Sequence, residues 1–176
     1  MVPEAQLVET EHGLVPEGEG WFVVNAREAR WVDRSPPFDR SCRFEGEALF
    51  PQLGVNIRVL DPGRPNCYYH AEADQEDVLV LAGECLLVVE GQERRLRAWD
   101  FVHLAPWTEH VLVGAGDRPC VVVMVGGREK PGIRYPASEA ALVHGAGVER
   151  ETESPEEAYA GIPPRRPTRY RDGDLP

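Results

Sequence analysis

From Trp21 to Lys130 the chain is a succession of short β-type runs divided by turn residues, with no long helix between them. The runs fall at residues 21–25, 55–60, 67–70, 78–82, 85–90, 94–97, 101–104, 111–113 and 120–126. Val55, Ile57 and Val59 alternate with Asn56 and Arg58, the period-2 signature of a half-buried strand whose polar residues face water. Gly83 and the Glu90–Gly91–Gln92 group stand where hairpin turns are needed. Such a rhythm argues for an antiparallel sandwich or barrel and against βαβ units.

The flanks differ in texture. Residues 1–20 are rich in Glu and Gly with little apolar periodicity, which predicts a loose acidic arm with His12 solvated. Residues 21–130 are the β domain, and residues 131–176 a C-terminal extension with helical signals. Ser138 precedes the helix-forming residues 139–143, Gly145 stands at the stop, and His144 falls in the last turn as a structural residue. Ser154, Pro155 and Glu157 read as N-cap, first-turn proline and capping-box glutamate of a second short helix that Gly161 ends. The Pro/Arg tail carrying Arg165, Arg166, Arg169 and Arg171 is expected to be solvated.

At 176 residues the chain suits one domain with a sizeable core. A net charge of −11 disfavours nucleic acid, and no apolar run is long enough to span a membrane. The acidic N-terminus has neither signal-peptide nor transit-peptide character, so a cytoplasmic address is expected. Lys130 is the sole lysine, which disfavours Schiff-base chemistry. Cys42, Cys67, Cys85 and Cys120 form no CxxC pair and read as buried thiols, with Cys67 able to approach His70.

The chemistry concentrates in residues 69–76. On a strand His70 and Glu72 project to the same side, Glu76 opens the next strand after a tight break, and His110 opens a later one. Two imidazoles and one or two carboxylates converging in one mouth make a transition-metal ligand set, close to the two-His-one-carboxylate triad. The bland alternative is a hydrogen-bonded structural His beside solvated carboxylates. Glu72 is either a ligand, a residue that orients an imidazole, or a general base. Tyr68, Arg58 and His103 are candidate substrate contacts, each with a structural alternative, and Trp99 and Trp107 are candidates for walling the mouth.

This pattern resembles the two conserved motifs of the cupin superfamily. His70, Glu76 and Gly83 fall in register with the first motif and His110 with the second. The family's second histidine is Glu72 here, and its leading glycine aligns with Arg64, one residue after Gly63. Trp99, Ala105, Trp107 and Gly114 stand at the Gly, Pro, Gly and Asn positions of the second motif. The resemblance, which covers roughly Trp21 to Gly126, implies an all-β fold, a double-stranded antiparallel β-barrel of jelly-roll type, and a homodimer; the two short C-terminal helices lie outside it. It also implies one divalent transition metal (Mn, Fe or Zn) on His70, Glu72, Glu76 and His110, with Glu72 doubling as the catalytic candidate. Two functions follow from it: a metal-dependent oxygenase or isomerase acting on a small polar molecule, and a non-catalytic small-molecule binding or sensing barrel with a structural or vestigial metal.

Overall fold

The computed structural model describes residues 1–34 and 36–176. In chain order the elements are β1 (Gln6–Thr10), β2 (Gly13–Glu17), β3 (Trp31–Asp33), β4 (Arg40–Arg43), β5 (Leu53–Leu60), β6 (Ala71–Glu72), β7 (Glu76–Ala82), β8 (Glu84–Val89), β9 (Gln92–Arg97), β10 (Phe101–Leu104), β11 (His110–Ala115), β12 (Cys120–Gly127), β13 (Ile133–Arg134), α1 (Glu139–Leu142), α2 (Pro155–Ala158) and β14 (Arg166–Thr168). A large sheet runs β10-β7-β12-β5-β4-β3-β14 and faces a smaller sheet, β11-β8-β9. The strands divide between sheets rather than closing into one ring, so the mostly-β expectation is met as a sandwich and not as a closed barrel. Among the described residues no helix is long and apolar enough to cross a membrane.

Local chemistry explains the turns. Val89 pairs with Gln92, which leaves Glu90 and Gly91 as a two-residue loop, and both have positive φ (49° and 70°). That is the type I′ turn whose twist matches the flanking strands. Gly83 joins β7 to β8 at φ 73°, and a Cβ there would lie 2.5 Å from the Pro119 carbonyl oxygen, so only glycine fits. Two of the expected runs are not strands: of residues 21–25 only Trp21 forms a bridge, and of residues 67–70 only His70 does.

Among the described residues three hydrophobic clusters hold the molecule, and two of them flank the large sheet. Leu60, Val80, Leu87, Leu112, Val122 and Met124 fill the space between the sheets. On the outer side of the large sheet Trp31, Cys42, Val59 and Val121 form a second core, against which Ile57, Tyr170 and Leu175 pack. That second layer reverses the expected sidedness of β5. Its apolar alternants Ile57 and Val59 face the outer core, while Arg58 is buried on the inner side and lines the central cavity.

The ends are also more ordered than their composition predicts. The acidic arm is not loose: β1 and β2 form an antiparallel hairpin in which Val8 pairs with Val15. The tail keeps Arg166, Arg169 and Arg171 exposed, as expected, but it is tied down: Arg166 and Thr168 pair with Asp33 and Trp31 of β3. Arg171 bonds Asp33 at 2.5 Å, and Arg169 bonds the Glu9 carboxylate and the Glu11 and Thr10 carbonyls. Acidic arm and basic tail thus meet within one chain.

Both helices carry their expected caps, Ser138 and Ser154. Ala141 of α1 and the following Ala146 pack on Val88, Val111 and Val113, so the helix braces the small sheet. His144 bonds Glu93 at 2.7 Å, in keeping with a structural role. In α2 the Ser154 hydroxyl accepts from the Glu157 N–H, while the Glu157 carboxylate accepts from the Thr152 hydroxyl. Ser154→Ala should cost about 1 kcal/mol in urea unfolding. An unchanged midpoint would mean that α2 contributes nothing to the cooperative unit. All four cysteines are buried free thiols.

Candidate functional site

The two candidate histidines are brought together by the backbone. His70 and His110 sit opposite each other as an antiparallel bridge, each N–H donating to the other's carbonyl at 3.1 and 2.8 Å. Their side chains therefore leave on the same face, with ring centroids 4.7 Å apart and planes tilted by 48°. The Nδ1 of each ring lies against the carbonyl two residues earlier: Tyr68 at 2.8 Å for His70, Thr108 at 2.9 Å for His110. A carbonyl only accepts, so each Nδ1 carries a proton, and this assignment follows from the partner alone. The Nε2 atoms are thereby turned to the carboxylates. His70 Nε2 lies 3.4 Å from Glu72 and His110 Nε2 lies 3.1 Å from Glu76.

Electrostatics follow the same pairing. Burial opposes a charged imidazole at His70, but Cys67 and Glu72 beside it outweigh burial and raise its pKa well above the ordinary value. The hydrogen bond from His70 holds the Glu72 carboxyl below the usual carboxylate range, against the effect of burial. The Cys67 sulfur lies 3.5 Å from His70 Nδ1 and lines the cavity, so the approach expected from its position is present. Gly126 stands opposite Glu76 on β12, where an added Cβ would meet that carboxylate at 3.6 Å.

The residues fit a metal by donor type and by the anchored Nδ1 atoms, which is how ligating histidines are oriented. The donors are arranged as two pairs, His70 with Glu72 and His110 with Glu76. Among the described residues, no group of three or more His, Cys, Asp or Glu side chains is positioned as a metal cage. Beside the histidines lies a cavity of about 170 Å³. His70, Glu72 and Glu76 form part of its wall; His110 does not line it and is buried against Glu76.

Other candidates are placed differently. Arg58 lines the cavity, and its Nη1 is engaged, donating to both oxygens of Asp39, at 2.9 and 3.2 Å, and to the Asn66 carbonyl, while its buried Nε has no partner among the described residues. Tyr68 is not on the cavity wall. Its ring packs on Phe38 and Tyr159 at centroid distances of 4.9 and 5.0 Å. His103 is also outside the cavity, 54% exposed and bonded to Asp77 at 2.6 Å. Its strand presents it outward, a direction that alternation alone leaves open. Trp99 is 75% exposed and does not line this cavity, while Trp107 lies under the Arg134 guanidinium, 5.8 Å from the ring. Both tryptophans have positive φ (75° and 66°), so the turn keeps a left-handed backbone where the second motif has glycine.

Among the wall residues that the sequence did not mark as such are four polar ones, Arg34, Tyr135, Tyr159 and Arg165. Burial pushes both tyrosine hydroxyls upward in pKa, so they remain protonated donors at neutral pH. Arg34 stacks on Tyr159, 4.3 Å from the ring centroid. No local signal marks any of the four, because long-range packing brings them in.

The chain matches the cupin domain family over residues 56–126. No curated protein sequence matches it. Among solved structures, an uncharacterized conserved protein with a double-stranded β-helix domain from Klebsiella pneumoniae is 19% identical, with a TM-score of 0.52. That match covers 63% of this chain and 93% of the other. A sugar phosphate isomerase from a cupin superfamily of Silicibacter pomeroyi is 25% identical, with a TM-score of 0.48, covering 62% of this chain and 65% of that one. An RmlC-like cupin from Shewanella frigidimarina is 17% identical, with a TM-score of 0.47, covering 56% and 84%. The match thus spans less than two thirds of the isomerase, and the Klebsiella likeness supports the fold alone.

Proposed function

This chain belongs to the cupin superfamily, and from that premise we propose that it is a metal-binding cupin acting on a small polar molecule held in the cavity beside His70. The observation that carries the reading is the His70–His110 bridge, with both Nδ1 protons tied to carbonyls and both Nε2 atoms turned to carboxylates. His70, Glu76 and His110 would hold one divalent transition metal (Mn, Fe or Zn), with Glu72 as fourth ligand or base. When bound, such a metal would act as a Lewis acid on a substrate oxygen, or activate dioxygen if it is iron.

The chain's own groups supply proton handling. Glu72, with its side chain 36% exposed and its carboxyl held ionised by His70, can accept a proton from a ligand in the cavity. Tyr135 and Tyr159 offer hydroxyl donors. The homodimer belongs to the same reading. The pairwise donor arrangement favours a second reading, a binding barrel with a vestigial metal set.

Elemental mass spectrometry on untagged protein separates the two. Near-stoichiometric metal in the wild type, falling by roughly tenfold or more in His110→Ala, is the expected result. Wild type and variant that are both metal-free after growth in metal-rich medium would overturn the metal-dependent reading and leave the binding barrel.

A further inference from the structure

We propose that Arg34 and Arg165 form a subsite for an oxyanion, a carboxylate or phosphate group, on the small ligand of this cavity. The proposal rests on the reading of the cavity as a ligand site but not on the metal.

The placement of the two arginines is the first argument. In the β3–β14 ladder Asp33 is paired with Arg166, so Arg34 and Arg165 are the next opposed residues just beyond its end. Like charges directly across an antiparallel pair repel. A chain that keeps two guanidiniums there, both half-buried, carries a cost that an anion between them would relieve. The pKa of Arg165 is lowered by burial; Asp39 opposes this, and Arg34 adds to it to a smaller degree.

The second argument is the absence of an internal counter-ion. Among the described residues neither arginine forms an ion pair with a carboxylate. Asp39, which acts on Arg165 at longer range, is taken up by Arg58 through both its oxygens. The other tail arginines with side-chain partners, Arg169 and Arg171, bond Glu9 and Asp33, so acids are within reach of this segment and are used elsewhere.

The third argument is orientation. Arg34 is held from both sides, by stacking on Tyr159 and by donation from Nε to the Pro163 carbonyl at 3.1 Å. Among the described residues its two terminal nitrogens have no hydrogen-bond partner, which leaves them as the fork that matches a carboxylate or phosphate. Arg34 and Arg165 also line an adjoining recess with Phe38 and Asp39 that His70, Glu72 and Glu76 do not reach. The cavity is therefore polarised, with cations on one side and the imidazole–carboxylate wall on the other. At about 170 Å³ it admits a ligand well below drug size. A small molecule with an oxyanion at one end and a reactive or hydroxylated centre at the other fits both walls.

The test is calorimetric titration of the full chain with inorganic phosphate and with malonate, at constant ionic strength, before and after EDTA treatment. Wild type should bind at least one probe. Arg34→Met and Arg165→Met should each weaken it by roughly tenfold or more. Arg150→Met, on the exposed surface, should bind as wild type does. If a methionine variant fails to fold by circular dichroism, the corresponding lysine variant replaces it and should still bind more weakly, because it loses the fork. No binding by wild type, or variants that bind equally well, would overturn the subsite. Metal content measured on the same samples keeps the two readings apart. Arginine-dependent anion binding by metal-free protein upholds the subsite while the metal reading falls. A metal-loaded protein blind to both anions does the reverse.

Discussion

Arg58→Met should destabilise the protein by about 3–5 kcal/mol at pH 8, because it strands a buried carboxylate. Arg58 and Asp39 are both buried, and Nη1 reaches both carboxylate oxygens. Burial pushes the Asp39 carboxyl up to about 6, with Arg58 holding it down. The pair is therefore ionised at neutral pH, and removing the cation leaves the anion with only Arg165, at longer range, to offset its burial. The sign of the pH dependence follows. A carboxyl whose folded pKa exceeds its unfolded value of 3.8 contributes stability that is fully present below 3.8 and lost as pH rises through about 6. Without Arg58 that folded pKa rises further, so the gap between wild type and variant should be widest at pH 8 and narrow towards pH 4. Urea unfolding at both pH values measures it. A gap independent of pH would show that Asp39 is not the group left stranded.

The second large effect is expected at Arg40, which joins the large sheet to the far end of the chain. Its guanidinium is bidentate to Asp61, at 2.7 and 3.2 Å, and bidentate again to Asp174, at 2.7 and 3.2 Å. The Asp174 side chain is only 8% exposed, whereas Asp61 is 38% exposed. Arg40→Met should then cost about 3 kcal/mol, or a fall in Tm of roughly 6–12 °C for a chain of this size. Most of the loss comes from Asp174. Asp61→Asn, in comparison, should cost under about 1 kcal/mol, since that carboxylate is partly solvated. Thermal unfolding of both variants decides the matter, and equal shifts would refute the assignment to Asp174. Limited proteolysis should also find the last residues newly susceptible in Arg40→Met alone.

What the sequence reveals here depends on how local the cause is. Strands β7, β8, β10 and β12 are apolar runs bounded by turn residues, and their limits can be read to within a few residues. The caps Ser138 and Ser154 are equally local. Strands β3, β4 and β14 are short and carry polar residues, and partners far along the chain hold them: Trp31 in the outer core, Arg40 on Asp174, Arg171 on Asp33. Charge alone marks Arg165 and its neighbours as solvated, because composition does not say where a tail will find acids. Alternation in β5 is plain, yet it cannot tell which face is inside when both faces are covered. At the site, the two-residue spacing of His70 and Glu72 gives a common face. The meeting of His70 with His110, 40 residues apart, is legible only through the motif resemblance.

The tail strand also sets an order in time. A chain is made from its N-terminus, and the His70, Glu72, Glu76 and His110 wall, with Arg34 and Arg58, has been synthesised before Arg165. Until β14 zips onto β3, the recess beside Asp39 has one free guanidinium in place of two. Under the oxyanion reading, a chain without β14 in place carries the carboxylates of the site but only one of the two arginines of the subsite. Anion binding on that reading depends on β14, and loss of that strand should silence it while leaving the main core intact.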